Sequence, residues 1–465
     1  MLEKFIKNRI IHALPFDPNE GQGELLQLLA QFIISKKEQK AFVLRGYAGT
    51  GKTSIMAALV KALGELKQPV VLLAPTGRAA KVLSRYAKAP AYTIHKYIYR
   101  QDKLGTEAFS LSFNPHHHTL FIIDEASMIS SERDNATFGT GVLLNDLIKY
   151  VYSGEGCSML LLGDDAQLPP VGSEVSPALD VDYLLGYGLD VMSHTLTQVA
   201  RQALDSGILL NATHIRNRIA TSPHGPLSYQ FSADFQSFDG SEFLELLEQS
   251  YREVGMEDTI ILTRTNKRTN LYNQGTRARV LWKEDAVSAG DRLMISKNNY
   301  FWTKDYDDIP FLANGDMMEI VRLRNQREMY GFQFADASLR AIDYDWEIDV
   351  VVWLDTLTTD SPEVNHQLHR QLFERISEDY PELQRNRKKQ IETIYESPYY
   401  NALQVRFAYA VTCHKAQGGQ WSHVYIDQGY ITKEMLTPEY YRWLYTAFTR
   451  ATEKLYLVNF PKEQI

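Results

Sequence analysis

The sequence predicts an α/β protein with two doubly wound parallel-sheet domains, a short hairpin inserted in the first, and a small β-barrel plus a helical arm inserted in the second. Three observations carry this prediction. From Lys40 to Leu196, apolar strand-like runs alternate with stretches of helical period, the pattern of a parallel sheet covered on both faces. The same texture returns at Ile260–Arg279 and again from Ala408 onward. Between those two stretches, Val287–Leu357 changes to short alternating runs with the turn signals Ala289-Gly290-Asp291 and Asn314-Gly315-Asp316, which reads as a barrel. The residues Pro362–Tyr399 that follow are charged and helical, an arm. The expected boundaries are 1–92 and 118–196 for the first domain and 93–117 for its hairpin. They are 197–286 and 400–465 for the second domain, 287–361 for the barrel and 362–399 for the arm.

Composition bounds the function classes. A chain of 465 residues that is 44% hydrophobic has ample core material. A net charge of −8 carries no global nucleic-acid signal, although a basic groove can sit on an acidic body. The two cysteines, Cys157 and Cys413, lie in separate apolar runs without metal spacing, which points to a reducing compartment. Met1–Lys7 lacks the apolar stretch of a signal peptide, and no run approaches the ~20 apolar residues of a membrane span. The expectation is a soluble cytoplasmic protein without a membrane partner.

Taken in order, residues 1–39 read as mostly helical, with a turn at Pro15–Glu20 and Leu25, Leu28, Leu29 and Phe32 on one helix face. Gln22 at the start of that helix reads either as a solvated surface side chain or as a bidentate contact to adenine. Ala41–Leu44 is a short buried strand, and Ser54–Leu66 has helical spacing. Between them, Gly46-Tyr47-Ala48-Gly49-Thr50-Gly51-Lys52-Thr53 matches the full phosphate-loop pattern in its required strand–turn–helix setting. Its glycines let backbone amides surround an anion at a helix N-terminus. Lys52 would reach the β- and γ-phosphates, and the Thr53 hydroxyl would hold magnesium.

Pro69–Ala74 is a second strand, ending in the turn Pro75-Thr76-Gly77 that opens a helix. Tyr97–His118 reads as a hairpin around Lys103-Leu104-Gly105, with Phe109, Leu111 and Phe113 alternating. His116-His117-His118 reads as a solvated loop, because three consecutive side chains converge poorly on one ion. Thr119–Ile123 then runs into Asp124-Glu125, where Asp124 would hold the metal and Glu125 would act as general base. Ser158–Leu162 is a further strand, and the turn after it carries Gln167, a candidate sensor of the γ-phosphate.

The order of these stretches resembles that of superfamily 1 group B helicases, the RecD, Dda and Pif-like family, over nearly the whole chain. Gln22 is similar to the Q motif and Gly46–Thr53 to motif I. Ala74–Lys81 resembles motif Ia, and Thr93–His95 the short motif that follows it. Asp124–Met128 resembles motif II, Gly163–Val171 motif III, Thr197–Gln202 motif IV, Tyr409–Gly418 motif V and Tyr445–Ala451 motif VI. The resemblance implies two RecA-like domains around one ATP and one Mg2+, with an SH3-like barrel. It implies nucleotide contacts from Gln22, Gly46, Ala48, Gly49, Thr50, Gly51, Lys52, Thr53, Asp124, Glu125, Gln167, Arg201, Gly418 and Arg450. Among these, Lys52, Glu125, Gln167, Arg201 and Arg450 would be catalytic, and Thr53 and Asp124 would be metal ligands. The two arginines suit the γ-phosphate because a fixed guanidinium fork matches phosphate geometry. Pro75, Thr76, Thr93, His95, Phe109, Thr412, His414 and Lys415 would touch the strand. Phe109, Tyr97 and Trp421 read equally as packing aromatics.

The activity implied is 5′-to-3′ movement of a monomer along single-stranded DNA, with unwinding of forked duplex. The arm is expected to clamp the strand against the hairpin. Two alternatives stay open. One is an RNA or RNA–DNA helicase, since no motif reads a 2′-hydroxyl. The other is an ATP-gated clamp that does not unwind.

Overall fold

The computed structural model describes residues 1–101, 109–133, 138–199, 206–220, 227–306, 309, 311–359, 361–381 and 386–461. Six parallel strands form the first sheet, in the order Ala91–Thr93, Val70–Ala74, Leu120–Ile123, Ser158–Gly163, Lys40–Gly46, Asp190–Leu196. The strand Lys40–Gly46 is central because Ala41, Phe42, Val43 and Leu44 are apolar on both faces, and all four are fully buried. Phe42, Val43 and Leu44 each contribute about 1.5–3 kcal/mol through burial. Helices cover both faces. One face packs Ile55, Leu59 and Leu63 with Leu25, Leu29 and Phe32, and the other packs Leu144, Leu147 and Val151.

The second sheet is also all parallel, in the order Ala410–Thr412, Thr259–Thr263, Trp421–Asp427, Ala451–Val458, Phe235–Phe238. Its main helix, Pro438–Phe448, begins where Thr437 accepts from the Tyr440 amide and Pro438 occupies the first turn. Both devices favour a helix start. The helix buries eight of its eleven residues, so it is held from several sides. Phase differences along it therefore matter at the site described below.

A closed five-stranded barrel interrupts this domain: Arg292–Ile295, Met317–Met329, Phe332–Ala341, Glu347–Trp353 and Leu403–Phe407. The expected fold class thus holds, with two doubly wound domains, a short hairpin, a barrel and an arm. The fifth barrel strand lies beyond the arm, on a stretch the sequence reading assigned to the second α/β domain. Its alternation is that of a barrel strand, and closure of the barrel requires it. Asp190–Leu196 and Phe235–Phe238 were not singled out in the sequence, since both are edge strands with mixed polarity.

The barrel is pinned to the second domain by a buried charge cluster. Asp291 is fully buried and accepts from Arg277 Nε (3.0 Å) and Nη2 (2.9 Å), Lys283 Nζ (2.9 Å) and the Tyr409 hydroxyl (2.7 Å). These donors hold its carboxyl below the usual range despite burial. The arm does not stand free as a clamp. Its helices Pro362–Glu378 and Arg387–Tyr395 bury Leu372, Ile376 and Ile394 against Phe332, Phe334, Val351 and Trp353 on the outside of the barrel.

Contact with the first domain comes from the barrel instead. The hairpin pairs Tyr99–Gln101 with Phe109–Leu111, and its expected turn at 103–105 lies outside the described residues. Phe109 packs against Tyr300 in a tilted arrangement and edge-on to Phe311, with ring centroids 4.9 and 5.9 Å apart. Below it, Asp343 pairs with Arg78 at 3.2 Å and Asp316 with Lys96 at 3.6 Å. Tyr344 lies against Gly77, where a Cβ would collide with the phenol oxygen.

Candidate active site

The phosphate loop joins the central strand to the helix Lys52–Glu65. Gly49 and Gly51 adopt φ of +74° and +89°, a region that strains any residue with a Cβ. A Cβ on Gly46 would sit 2.9 Å from Lys52 Cγ, so the loop also needs a glycine there for the lysine to pass. Lys52 Nζ donates to the carbonyls of Gly46 and Tyr47. Gly46 and Thr50 form the back of the loop, with the Thr50 hydroxyl donating to Tyr47 O at 2.8 Å.

Gln22 is placed differently from the adenine reading. It is 2% exposed, and its Nε2 donates to Thr50 O at 3.0 Å. Its Oε1 accepts from the Asn19 amide at 3.0 Å, closing a capping box. The side chain is thus engaged in bracing the loop, and it does not line the cleft. Phe16 and Tyr86 are among the aromatic side chains that do line the cleft.

Asp124 and Glu125 follow the strand Leu120–Ile123. The Asp124 amide donates to Leu73 O, and Asp124 Oδ1 accepts from the Glu125 amide at 2.9 Å. Glu125 has φ +51°, an uncommon conformation that turns its carboxylate into the cleft. Burial in the cleft raises both carboxyls. For Asp124 the Glu125 amide and Lys52 oppose the rise, and for Glu125 the Arg450 guanidinium does.

Arg450 reaches the cleft from the second domain. It is 3% exposed and held by Nε to Thr446 O (3.0 Å), Nη1 to Gly419 O (3.1 Å) and Nη2 to Thr449 Oγ1 (3.1 Å). That grip leaves Nη1 3.9 Å from Glu125 Oε1. Gln167 is buried, and its Oε1 has no hydrogen-bond partner. Lys52, Thr53, Asp124, Glu125, Gln167, Gly418 and Arg450 all line one cavity of about 400 Å³, together with Ala48 and Gly49. Arg201 lies outside the described residues.

Thr53 and Asp124 contribute a hydroxyl and a carboxylate to the lining of this cavity. A hard oxygen donor pair of this kind suits Mg2+ and leaves room for water and phosphate oxygens. No cluster of three or more His, Cys, Asp or Glu side chains suited to a metal occurs among the described residues. His116 instead pairs with the Tyr97 hydroxyl at 2.7 Å.

A second concavity crosses the two domains. Pro75, Thr76, Thr93 and His95 of the first domain face His414 and Lys415 of the second across about 220 Å³. His414, Lys415 and Asn314 also line an adjoining chamber of about 690 Å³, with Thr412, Arg264, Lys267 and Arg406. The last three cations were missed in the sequence, although Thr263–Asn266 forms a polar end on a buried strand. Lys415 lines the groove with its ammonium donating to Asn314 Oδ1 at 2.8 Å, and desolvation, with the repulsion of Arg406, lowers its amine to about 8. Phe109, expected to touch the strand, is 4% exposed and occupied by its aromatic neighbours. Trp421 lines the groove beneath Arg78, which lies 5.0 Å over its ring.

No helix among the described residues is long and apolar enough to cross a membrane. Comparison with known proteins places this architecture. A family model described as an AAA domain matches residues 19–220, and one described as a UvrD-like helicase C-terminal domain matches residues 407–458. An uncharacterised protein of Acanthamoeba polyphaga mimivirus is 26% identical over 94% of this chain and 99% of its own. The ATP-dependent RecD2 DNA helicase of Deinococcus radiodurans is 29% identical over 41% of this chain and 24% of its own. The ATP-dependent DNA helicase dda of Enterobacteria phage T4 is 24% identical over 66% of this chain and 67% of its own. A solved structure of Pif1 helicases at forked double-stranded DNA aligns over 97% of this chain and 94% of that one, at 16% identity and a TM-score of 0.49. The two matched models lie in chain order on the two parallel-sheet domains that meet at Glu125 and Arg450, and in sequence the chain is similar to the ATP-dependent DNA helicases RecD2 and Dda.

Proposed function

We propose that the protein is an ATP-dependent DNA helicase that moves 5′ to 3′ along single-stranded DNA and unwinds forked duplex as a monomer. The observation that carries the reading is the division of one cavity between two domains. Lys52, Thr53, Asp124, Glu125 and Gln167 come from the first, and Arg450, 3.9 Å from Glu125, comes from the second. Lys52 and the loop amides bind the phosphates. Thr53 and Asp124 would hold Mg2+, which would neutralise phosphate charge. Glu125 orients and deprotonates the attacking water, and its raised affinity for a proton suits it to that task. Gln167 gives its unpartnered oxygen to the same water, and Arg450 and Arg201 stabilise charge on the γ-phosphoryl group.

Opening and closing of the cleft then becomes movement, because the groove crosses the same domain boundary. Thr76, Thr93 and His95 would grip backbone on one side, and Thr412, His414, Lys415, Arg264 and Arg406 on the other. Contacts of this type are blind to base sequence. The relatives named as ATP-dependent DNA helicases support the choice of DNA and ATP.

The test is ATP hydrolysis with and without single-stranded DNA or RNA, run beside unwinding of duplexes bearing one 5′ or one 3′ tail. Strand-stimulated hydrolysis with unwinding from the 5′ tail alone is expected. Unwinding from the 3′ tail would overturn the polarity, and stimulation by RNA alone would overturn the substrate. Stimulated hydrolysis without unwinding would make the protein a translocating clamp.

A further inference from the structure

The helix Pro438–Phe448 leads into Arg450, and a side chain of the helix itself also enters the site. The Tyr445 hydroxyl accepts from the Ala48 amide of the phosphate loop at 2.9 Å and donates to Asp164 Oδ2 at 2.7 Å. Tyr445 is 1% exposed and Asp164 3% exposed. The other oxygen of Asp164 accepts from the Ala166 amide at 3.0 Å, in the turn that carries Gln167. One residue later on the helix, the Thr446 hydroxyl accepts from the Leu168 amide at 2.8 Å. A single oxygen from the second domain is therefore bonded at once to the phosphate loop and to the turn that presents Gln167.

A tyrosine in a packed helix could be there for its ring alone, and its ring does lie in the core of the second domain. Three features argue for the hydroxyl. Both of its partners belong to the other domain. Both are groups whose loss of a partner inside the protein is costly, a loop amide and a buried carboxylate. And the tie lies five residues from Arg450, so closure that seats Tyr445 also sets the distance from Arg450 to Glu125. We propose that Tyr445 is a positioning residue: its hydroxyl registers the second domain against the phosphate loop and the Gln167 turn, so that Arg450 and Gln167 reach the γ-phosphate together. The inference rests on the ATP-hydrolysis reading above.

The experiment is steady-state ATP hydrolysis with saturating single-stranded DNA for the full chain, for Y445F, D164N and D164A, and for Y445F/D164A, with thermal midpoints measured in parallel. If the wild-type protein shows no strand-stimulated hydrolysis, the reading above fails before this one is reached. Given an active wild type, Y445F is expected to lose at least tenfold in kcat with KM for ATP within threefold, since substrate binding rests on the first domain. D164A should lose as much. D164N has one amide oxygen to offer to either the Tyr445 hydroxyl or the Ala166 amide and not to both, so its kcat should fall between those of wild type and D164A. The double variant should be no worse than the worse single one, because the pair acts as a unit. A Y445F enzyme with wild-type kcat overturns the proposal. So do additive losses in the double variant, or a loss confined to KM. Should Y445F melt below the assay temperature, the contrast between D164A and D164N decides the matter alone.

Discussion

Replacing Arg450 by lysine isolates what the second domain brings to the reaction. The guanidinium is fixed by three hydrogen bonds of 3.0–3.1 Å, to Thr446 O, Gly419 O and Thr449 Oγ1. No lysine can make all three and still aim a cation at the cleft, because its single ammonium lacks the planar fork. A guanidinium placed in this way on a transferring phosphoryl group is worth about 10³–10⁵ in kcat. The lower end, about 10³, is the expected loss for Arg450→Lys, since a charge remains nearby. Lys52, the loop amides and Thr53 are untouched, so KM for ATP should change by less than about fivefold, the signature of a contact made mainly in the transition state. Arg450→Ala should cost more in stability, because up to three buried acceptors lose a donor at about 1–3 kcal/mol each. The assay is strand-stimulated ATP hydrolysis at saturating DNA, paired with thermal unfolding. A loss below tenfold in a normally folded Arg450→Lys enzyme, or a loss seen only in KM, would refute the placement of Arg450 on the γ-phosphate.

Three further outcomes follow from the same geometry. Lys415 titrates at about 8, below its ordinary value, so it is charged below that pH and neutral above it; affinity for a single-stranded oligonucleotide at fixed salt should therefore fall from pH 7.5 to 9.5, and Lys415→Arg should flatten that fall, whereas a flat wild-type profile removes Lys415 from the phosphate path. Phe109 joins the hairpin to Tyr300 and Phe311 of the barrel, so Phe109→Ala should reduce the length of duplex unwound per binding event while strand-stimulated hydrolysis stays within about threefold, and unchanged unwinding would show that this closure is dispensable. The Tyr344 hydroxyl is buried without a partner, so Tyr344→Phe should leave stability unchanged or raise it by up to about 1 kcal/mol in chemical denaturation, and a loss of about 2 kcal/mol would reveal a bond to that oxygen.

The parts of this protein that were legible in its sequence are those whose chemistry is local. Gly46–Thr53 announces itself because positive φ at Gly49 and Gly51 and the passage of Lys52 beside Gly46 are demands the loop makes on its own residues. Asp124-Glu125 and Gln167 were legible for the same reason, each sitting at the end of an apolar strand where a parallel sheet puts its chemistry. What escaped was everything decided by a partner far away in the chain. Gln22 shows this most directly. A glutamine three residues after Asn19 fits an adenine contact and fits a capping box, and only the position of Thr50 O, 28 residues on, assigns its amide to the loop. Phe109 lies in an alternating strand, which tells that one face is covered but not that Tyr300 and Phe311 cover it. Arg264 and Arg406 are unremarkable arginines until the second sheet and the barrel bring them to one chamber. Tyr445 is the limiting case, because its ring satisfies every local rule for a core residue of the second domain, and its hydroxyl belongs to the chemistry of the first. Side chains that contact both domains at once are therefore the ones a one-dimensional pattern is least able to mark.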